Sequence, residues 1–407
     1  MSFRRSHARY SGLCDSNMIL RLASLTAILL FAGCASGGMG AAVSNTRPET
    51  NTEVELKPEV ISAGPVVEAT TLKSAPDAWQ LLDLAVDGVP GVSANLAYEE
   101  LLADRTAARA VVVAVIDGGI DTTHVDLREN LWVNEDELPG NGVDDDNNGY
   151  VDDVYGWNFL GGPDGKSVDH ETLEVTRLHA DCLSGEVSPI KKTCQDIAAD
   201  YEAETDEVNQ TLDILDQIEE AYAFALPVLR GAGAGQNPTK ESVRRVSAVR
   251  PDISQAKSLF LQLVDILPVE EVPEAREAYE GLRDYGLNLE FRPREDIVGD
   301  DLSDGTEQGY GNPDVHATDP RHGTHVSGII GAVRGNGLGI DGIATNVKIM
   351  ALRAVPDGDE RDKDVANAIR YAVDNGAHII NMSFGKGFSL GKFWLMTLSV
   401  TPMITGC

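Results

Sequence analysis

Ala110-Val111-Val112-Val113-Ala114-Val115-Ile116 is an unbroken apolar run, most of it β-branched. Runs of this kind belong to strands covered on both faces, as in parallel sheets. Val347 to Val355 predicts a second such strand. From Asp364 to Asn375 the period changes. Val365, Ala368, Ile369, Ala372 and Val373 recur at helical spacing, and Gly376 marks the helix end. Ala377 to Ser383 then predicts a further strand. Strand, helix and strand in this order imply a right-handed parallel crossover, so the fold class is α/β.

Between Glu171 and Asp296 the pattern differs. Val208, Leu212, Leu215, Ile218 and Tyr222 recur every three or four residues with acids between them, which predicts an amphipathic helix. Ser254 to Leu267 and Pro273 to Tyr285 also read as helical, and Gly231 to Asn237 as a loop. Residues 171–296 are therefore expected to be a mainly helical insertion. A lid, a partner surface and a stabilising appendage all fit it.

The N-terminal pattern is that of export. A basic start precedes the apolar run Leu25–Phe31, which is too short to span a bilayer, and Ala32-Gly33-Cys34-Ala35-Ser36 follows. The Cys after Ala-Gly resembles a bacterial lipobox, which implies a lipidated Cys34 and membrane attachment at the cell envelope. A plain secretory signal is the alternative. Met18 offers a start that gives a signal of ordinary length, so residues 1–17 are expected to fall outside the translated product. Residues 35–75 are rich in small and polar residues without an apolar period, as in a flexible tether.

Charge narrows the partners. The chain has 407 residues, 33 basic and 65 acidic, for a net charge of -32. Phosphate binding needs basic patches, so nucleic acid is excluded as a partner. An acidic surface suits cations such as calcium, or simply solubility. In an oxidising compartment Cys182 and Cys194 are candidates for a local disulfide; their spacing fits no zinc pattern.

Two segments are candidates for catalytic chemistry. Asp117-Gly118-Gly119-Ile120-Asp121 directly follows the first strand, where open α/β sheets place their ligands. His322-Gly323-Thr324-His325-Val326-Ser327-Gly328 opens a helix whose glycines allow close packing. The two His lack the Glu of a zinc-protease helix. Val113–Ile120 together with His322–Gly331 resembles the subtilisin-like serine peptidases, and Ile380-Asn381-Met382-Ser383-Phe384-Gly385 resembles that family's third block. Gly339-Ile340-Asp341-Gly342-Ile343-Ala344 agrees as well. The resemblance covers residues 79–170 and 296–389. It implies a parallel-sheet subtilisin-like fold and polypeptide substrates. Asp117 is then the orienting carboxylate and His322 the general base and acid. It further implies that Ser383, Phe384 and Gly385 bind extended substrate and that His325 is structural.

The resemblance also implies an oxyanion Asn in an Ala-Gly-Asn context and a nucleophile in Gly-Thr-Ser-Met-Ala. Neither segment occurs in the sequence. Loss of the Ser or His from subtilisin costs about 2 × 10⁶ in kcat, so this chain is expected to be inactive as it stands. Residues 390–407 match no expected continuation and are read as a frameshifted tail. The domain division follows: 1–34 signal, 35–75 tether, 76–170 and 297–389 the two parts of an incomplete peptidase domain, 171–296 insertion. Without further strands, Ile379–Ser383 is expected near an unpaired edge. The alternative function is a non-catalytic, calcium-dependent peptide-binding surface lipoprotein.

A second constellation runs from Gly140 to Asp153. Asp144, Asp146 and Asn148 alternate, Gly149 permits a sharp turn, and Tyr150 and Asp152 follow. This is the first part of an EF-hand-type loop with oxygen ligands for structural calcium. Its twelfth position is Tyr155 and not the bidentate Glu, and a solvated acidic turn is the other reading.

Overall fold

The computed structural model describes residues 75–185 and 192–389. Segment 1–34 with Cys34, nearly all of the 35–75 tether and the tail 390–407 lie outside the described residues. Among the described residues no helix is long and apolar enough to cross a membrane. Contacts divide the chain into two units after Thr106. The smaller unit holds helical turns at Trp79–Leu81 and Leu84–Asp87 and a helix at Ala94–Glu100. Asp83 caps the second turn by accepting from the amides of Ala85 and Val86.

In the larger unit, β1 (Val111–Asp117), β2 (Gly156–Asn158), β3 (Val347–Arg353) and β4 (Ile379–Met382) form one sheet in the order β2-β3-β1-β4. Every pairing is parallel. The pleat sends alternate residues to opposite faces. Ala114 and Ile116 join Met350 and Leu352 in a core with Tyr150, Trp157, Phe159 and Tyr371. Val113 and Val115 join Ile349 and Ala351 in a second core with Ile120, Leu127 and Leu131. Both faces of β1 are thus buried, as its unbroken apolar run requires.

Strand ends differ from the sequence expectation by a few residues, each for a hydrogen-bonding reason. The third strand stops at Arg353 because the amides of Ala354 and Val355 both turn to the carbonyl of Asp117, at 3.0 and 3.2 Å. The fourth begins only at Ile379. The Ala377 amide instead closes the preceding helix by donating to the Ala372 carbonyl at 2.8 Å, while Gly376 takes a left-handed φ of 78°. β4 has a strand partner on one side only among the described residues, and Ile379 and Met382 are about half exposed.

Eight helices of this unit are described here: α1 (Glu174–Ser184), α2 (Cys194–Gly231), α3 (Lys240–Arg245), α4 (Pro251–Leu263), α5 (Val272–Gly281), α6 (Pro293–Ile297), α7 (Arg321–Gly331) and α8 (Asp362–Asp374). α8 supplies Ala368, Tyr371 and Ala372 to the first core, and α7 presents Val326 and Ile330 to the second. Helices α1 to α5 make up the insertion. The central α2 spans 38 residues, well beyond the periodic stripe at 208–222. Its start is set by a capping box between Thr193 and Asp196. It packs on α4, α1 and α5. Tyr222 meets Phe260 edge-on and donates to the Leu267 carbonyl. Cys182 and Cys194 are joined, S–S 2.08 Å, tying the end of α1 to the start of α2. The insertion is fastened to the sheet layer through Arg294 of α6, whose guanidinium pairs with Asp364 of α8 at 2.7 Å; both side chains are buried.

Candidate active site

Asp117 is the last residue of β1 and is 3% exposed. Its neighbours across the sheet are fixed by register: it pairs with Arg353 of β3, and Ile116 pairs with Met382 of β4. One step further along β4 is Ser383. The carboxyl ends of adjacent strands therefore carry Asp117 and the start of Ser383–Gly385 side by side.

His322 is the second residue of α7. Its Nδ1 lies 2.9 Å from both Oδ1 and Oδ2 of Asp117, across 205 positions of sequence. Asp117 Oδ1 also accepts from the Gly118 amide at 2.8 Å. A carboxylate facing Nδ1 favours the proton on that nitrogen, which leaves Nε2 as the acceptor on the far side of the ring. The His322 side chain keeps 33% of its surface exposed. Its pKa is raised above the ordinary 6.5, first by the hydrogen bond to Asp117, with burial opposing.

Close packing makes this contact possible. Gly119 has φ 141°, and a Cβ there would meet the Ala317 side chain at 2.5 Å. A Cβ on Gly331 would meet Val347 at 2.5 Å. Thr324 Oγ1 accepts from the Asp121 amide at 2.8 Å, a tie between the strand-end loop and α7 that the sequence did not signal. His325, the other histidine of the segment, is exposed on α7.

The three residues expected to bind extended substrate lie at the open edge. Ser383 is exposed and its Oγ accepts from Asn381 at 2.9 Å. Phe384 packs on the first core, and a Cβ on Gly385 would meet nothing within 4 Å.

The acidic loop folds differently from a simple row of ligands. The Asp144 carboxylate accepts from the amides of Asn148 and Gly149. Asp152 accepts from the amides of Asn141 and Gly142. Asn148 donates from its side chain to Asp146 and Asp153, and its own oxygen accepts from the Tyr150 amide. The carboxylates brought together are Glu137, Asp146 and Asp153, with oxygens all within 4.8 Å of one another. Of these only Asp146 was picked out by the alternating pattern. Glu137 precedes the loop with no periodic signal. Asp153 is fully buried, and burial raises its pKa despite hydrogen bonds from Tyr371, Asn148 and Asn134. Three hard oxygen donors without sulfur or imidazole suit calcium.

The profile of the subtilase family matches residues 108–401. A thermophilic serine proteinase of Bacillus sp. (strain AK1) is 49% identical over 65 residues, 16% of this chain and 16% of that protein. Subtilisin-like protease 1 of Plasmodium vivax is 63% identical over 49 residues, 12% of this chain and 8% of that protein. The cell wall-associated protease of Bacillus subtilis (strain 168) is 39% identical over 71 residues, 17% of this chain and 8% of that protein. These matches span no more than 16% of the length of the curated relatives. The profile match takes in both the strand that ends in Asp117 and the helix that carries His322, and the chain belongs to the subtilase family.

Proposed function

We propose that Asp117 and His322 are the orienting carboxylate and the general base and acid of a subtilisin-like serine endopeptidase acting on polypeptides. The observation that carries this reading is the paired 2.9 Å approach of His322 Nδ1 to the two oxygens of Asp117 at the carboxyl end of a parallel sheet. Asp117 holds the ring in one tautomer and stabilises the imidazolium. His322 Nε2 takes the proton of an attacking serine hydroxyl and returns it to the leaving amine. Ser383–Gly385, beside the open edge of β4, pairs with extended substrate as an added strand.

The 407 residues contain no Gly-Thr-Ser-Met-Ala segment to supply the hydroxyl. We therefore propose that this polypeptide by itself hydrolyses no peptide bond. Two measurements test the reading. Nuclear magnetic resonance should show His322 protonated at Nδ1 with a raised pKa; a ring titrating at its ordinary value, unchanged in Asp117→Asn, counts against the pair. Hydrolysis of a fluorogenic peptide by the purified chain, lost in His322→Ala, overturns the inactivity.

Two subsidiary readings accompany it. Calcium is held by Glu137, Asp146 and Asp153 as a structural ion that ties the 140–153 loop to its base. The Ala-Gly-Cys pattern at Cys34, together with a relative named as cell wall-associated, supports a lipid-anchored protein of the cell envelope.

A further inference from the structure

We infer that the helical insertion positions the candidate substrate-binding segment Ser383–Gly385 through one buried ammonium, that of Lys386. The inference rests on the reading of that segment given above. Lys386 follows Gly385 directly, and its side chain is 4% exposed. Its Nζ lies 3.0 Å from Glu174 Oε2 in α1 and 3.0 Å from Asp362 Oδ1 in α8. It also donates to the Glu360 carbonyl at 2.6 Å. The three protons of the ammonium thus have three acceptors, one of them in the insertion.

The surroundings show why the charge matters. Glu174 is 4% exposed and is shared with Arg177, another buried cation of α1. Its own amide donates to Asp359 at 2.7 Å. Removing one partner from such a buried group strands the others, so the ammonium is held firmly. Further along, Ser389 Oγ donates to Asp362 at 2.8 Å, and Lys192 of the insertion sits 4.9 Å over the ring of Phe388. Upstream, β4 is pinned to β1 through Met382. Ser383–Gly385 therefore runs from a strand, through Phe384 on the first core, to a clamp shared by α1 and α8. Gly385, with open space where a Cβ would sit, cannot hold the segment by its own packing. Lys386 is a positioning residue, and Glu174 is the insertion's share of the clamp that holds it.

The test compares the full chain with Lys386→Met, Lys386→Arg and Glu174→Gln. Backbone hydrogen exchange is read at residues 383–388 and, as an internal control, at Val113–Ile116. The probe for binding is a fluorescein-labelled casein peptide followed by polarisation. Lys386→Met and Glu174→Gln should speed exchange at 383–388 about tenfold or more and leave Val113–Ile116 unchanged. They should weaken the probe about tenfold, and Lys386→Arg should restore both. Unchanged exchange at 383–388 in both Lys386→Met and Glu174→Gln, or equal acceleration at Val113–Ile116, overturns the inference. Local acceleration in a chain whose wild-type form binds no casein peptide upholds the positioning and removes the peptide-binding reading instead. Should Lys386→Met fail to fold, Glu174→Gln carries the same comparison with a smaller perturbation.

Discussion

Gly323 faces the carbonyl oxygen of Gly119 so closely that a Cβ on it would lie 2.2 Å from that oxygen and 3.1 Å from Asp117 Oδ1. The residue after the candidate base is thus packed directly on the loop that follows the candidate orienting carboxylate. Gly323→Ala must push α7 outward, and overpacking of this kind costs about 1–3 kcal/mol. The variant should melt at a lower temperature, and His322 should titrate closer to its ordinary value. An Ala variant with unchanged melting and unchanged His322 titration would refute the close-packing account.

The pH dependence of the Asp117–His322 pair follows from the direction of the shift. The folded pKa of His322 lies above 6.5, chiefly because of the hydrogen bond to Asp117. The folded state therefore holds its proton more tightly than the unfolded chain does. The stabilisation is full below 6.5 and is lost as pH rises through the folded value. The melting difference between the wild type and Asp117→Asn should be larger at pH 5.5 than at pH 9. Thermal melts at the two pH values decide it; a difference that grows with pH contradicts the assignment.

Asp357 behaves in the same direction for another reason. Burial first, then the nearby charges of Asp319 and Asp169, raise its pKa from 3.8 to about 7, with Arg353 and Arg321 opposing. His170 Nδ1 stands 3.6 Å from its carboxylate. Here too the folded state binds the proton that the unfolded chain releases. The favourable contribution is complete below 3.8 and fades as pH rises through about 7. Asp357→Asn should gain stability relative to wild type between pH 4 and pH 8. Denaturant melts across that range that show a constant or shrinking gain would sink the prediction.

Calcium should bind to the Glu137, Asp146 and Asp153 cluster and raise the melting temperature by mass action. Asp146→Ala and Glu137→Gln should each weaken calcium about tenfold or more in calorimetry. Asp144→Ala, whose carboxylate is engaged with backbone amides, should act mainly on loop stability. Calorimetry with no calcium heat, or with equal binding in Asp146→Ala, ends the proposal.

Lipid attachment is tested separately. Expression in a bacterial host with a labelled fatty acid should mark the wild type and not Cys34→Ala, and the variant should leave the membrane fraction. No label in the wild type would point to the plain signal, and label retained in the variant would exclude Cys34 as the attachment site.

Much of the site was readable from local patterns. The β-branched run before Asp117 has one physical explanation, burial on both faces. Glycine next to His322 announced close backbone approach, and the two segments kept their order along the chain. The insertion was readable as helical but the full 38 residues of its central α2 were not, because only the stretch from Val208 to Tyr222 carries a dense apolar stripe. Its entry depends on a cap at Thr193 and its footing on α1, α4 and α5. The acidic loop shows the opposite limit. Alternating Asp and Asn suggested a row of ligands; backbone amides donate to Asp144 and Asp152, as they do to Glu137, which the pattern did not single out.

What the amino-acid sequence by itself determined is the class of fold, which follows from periodicity, and it singled out Asp117 and His322 as candidates through residue types adjacent in the chain. Only the tertiary structure decided what meets across long separations. It brought Glu137 to Asp146 and Asp153, and Lys386 to Glu174 of the insertion. The reason is physical: a lone Glu or Lys reads as a solvated surface charge, and its burial beside a partner emerges only when elements far apart in sequence are packed together.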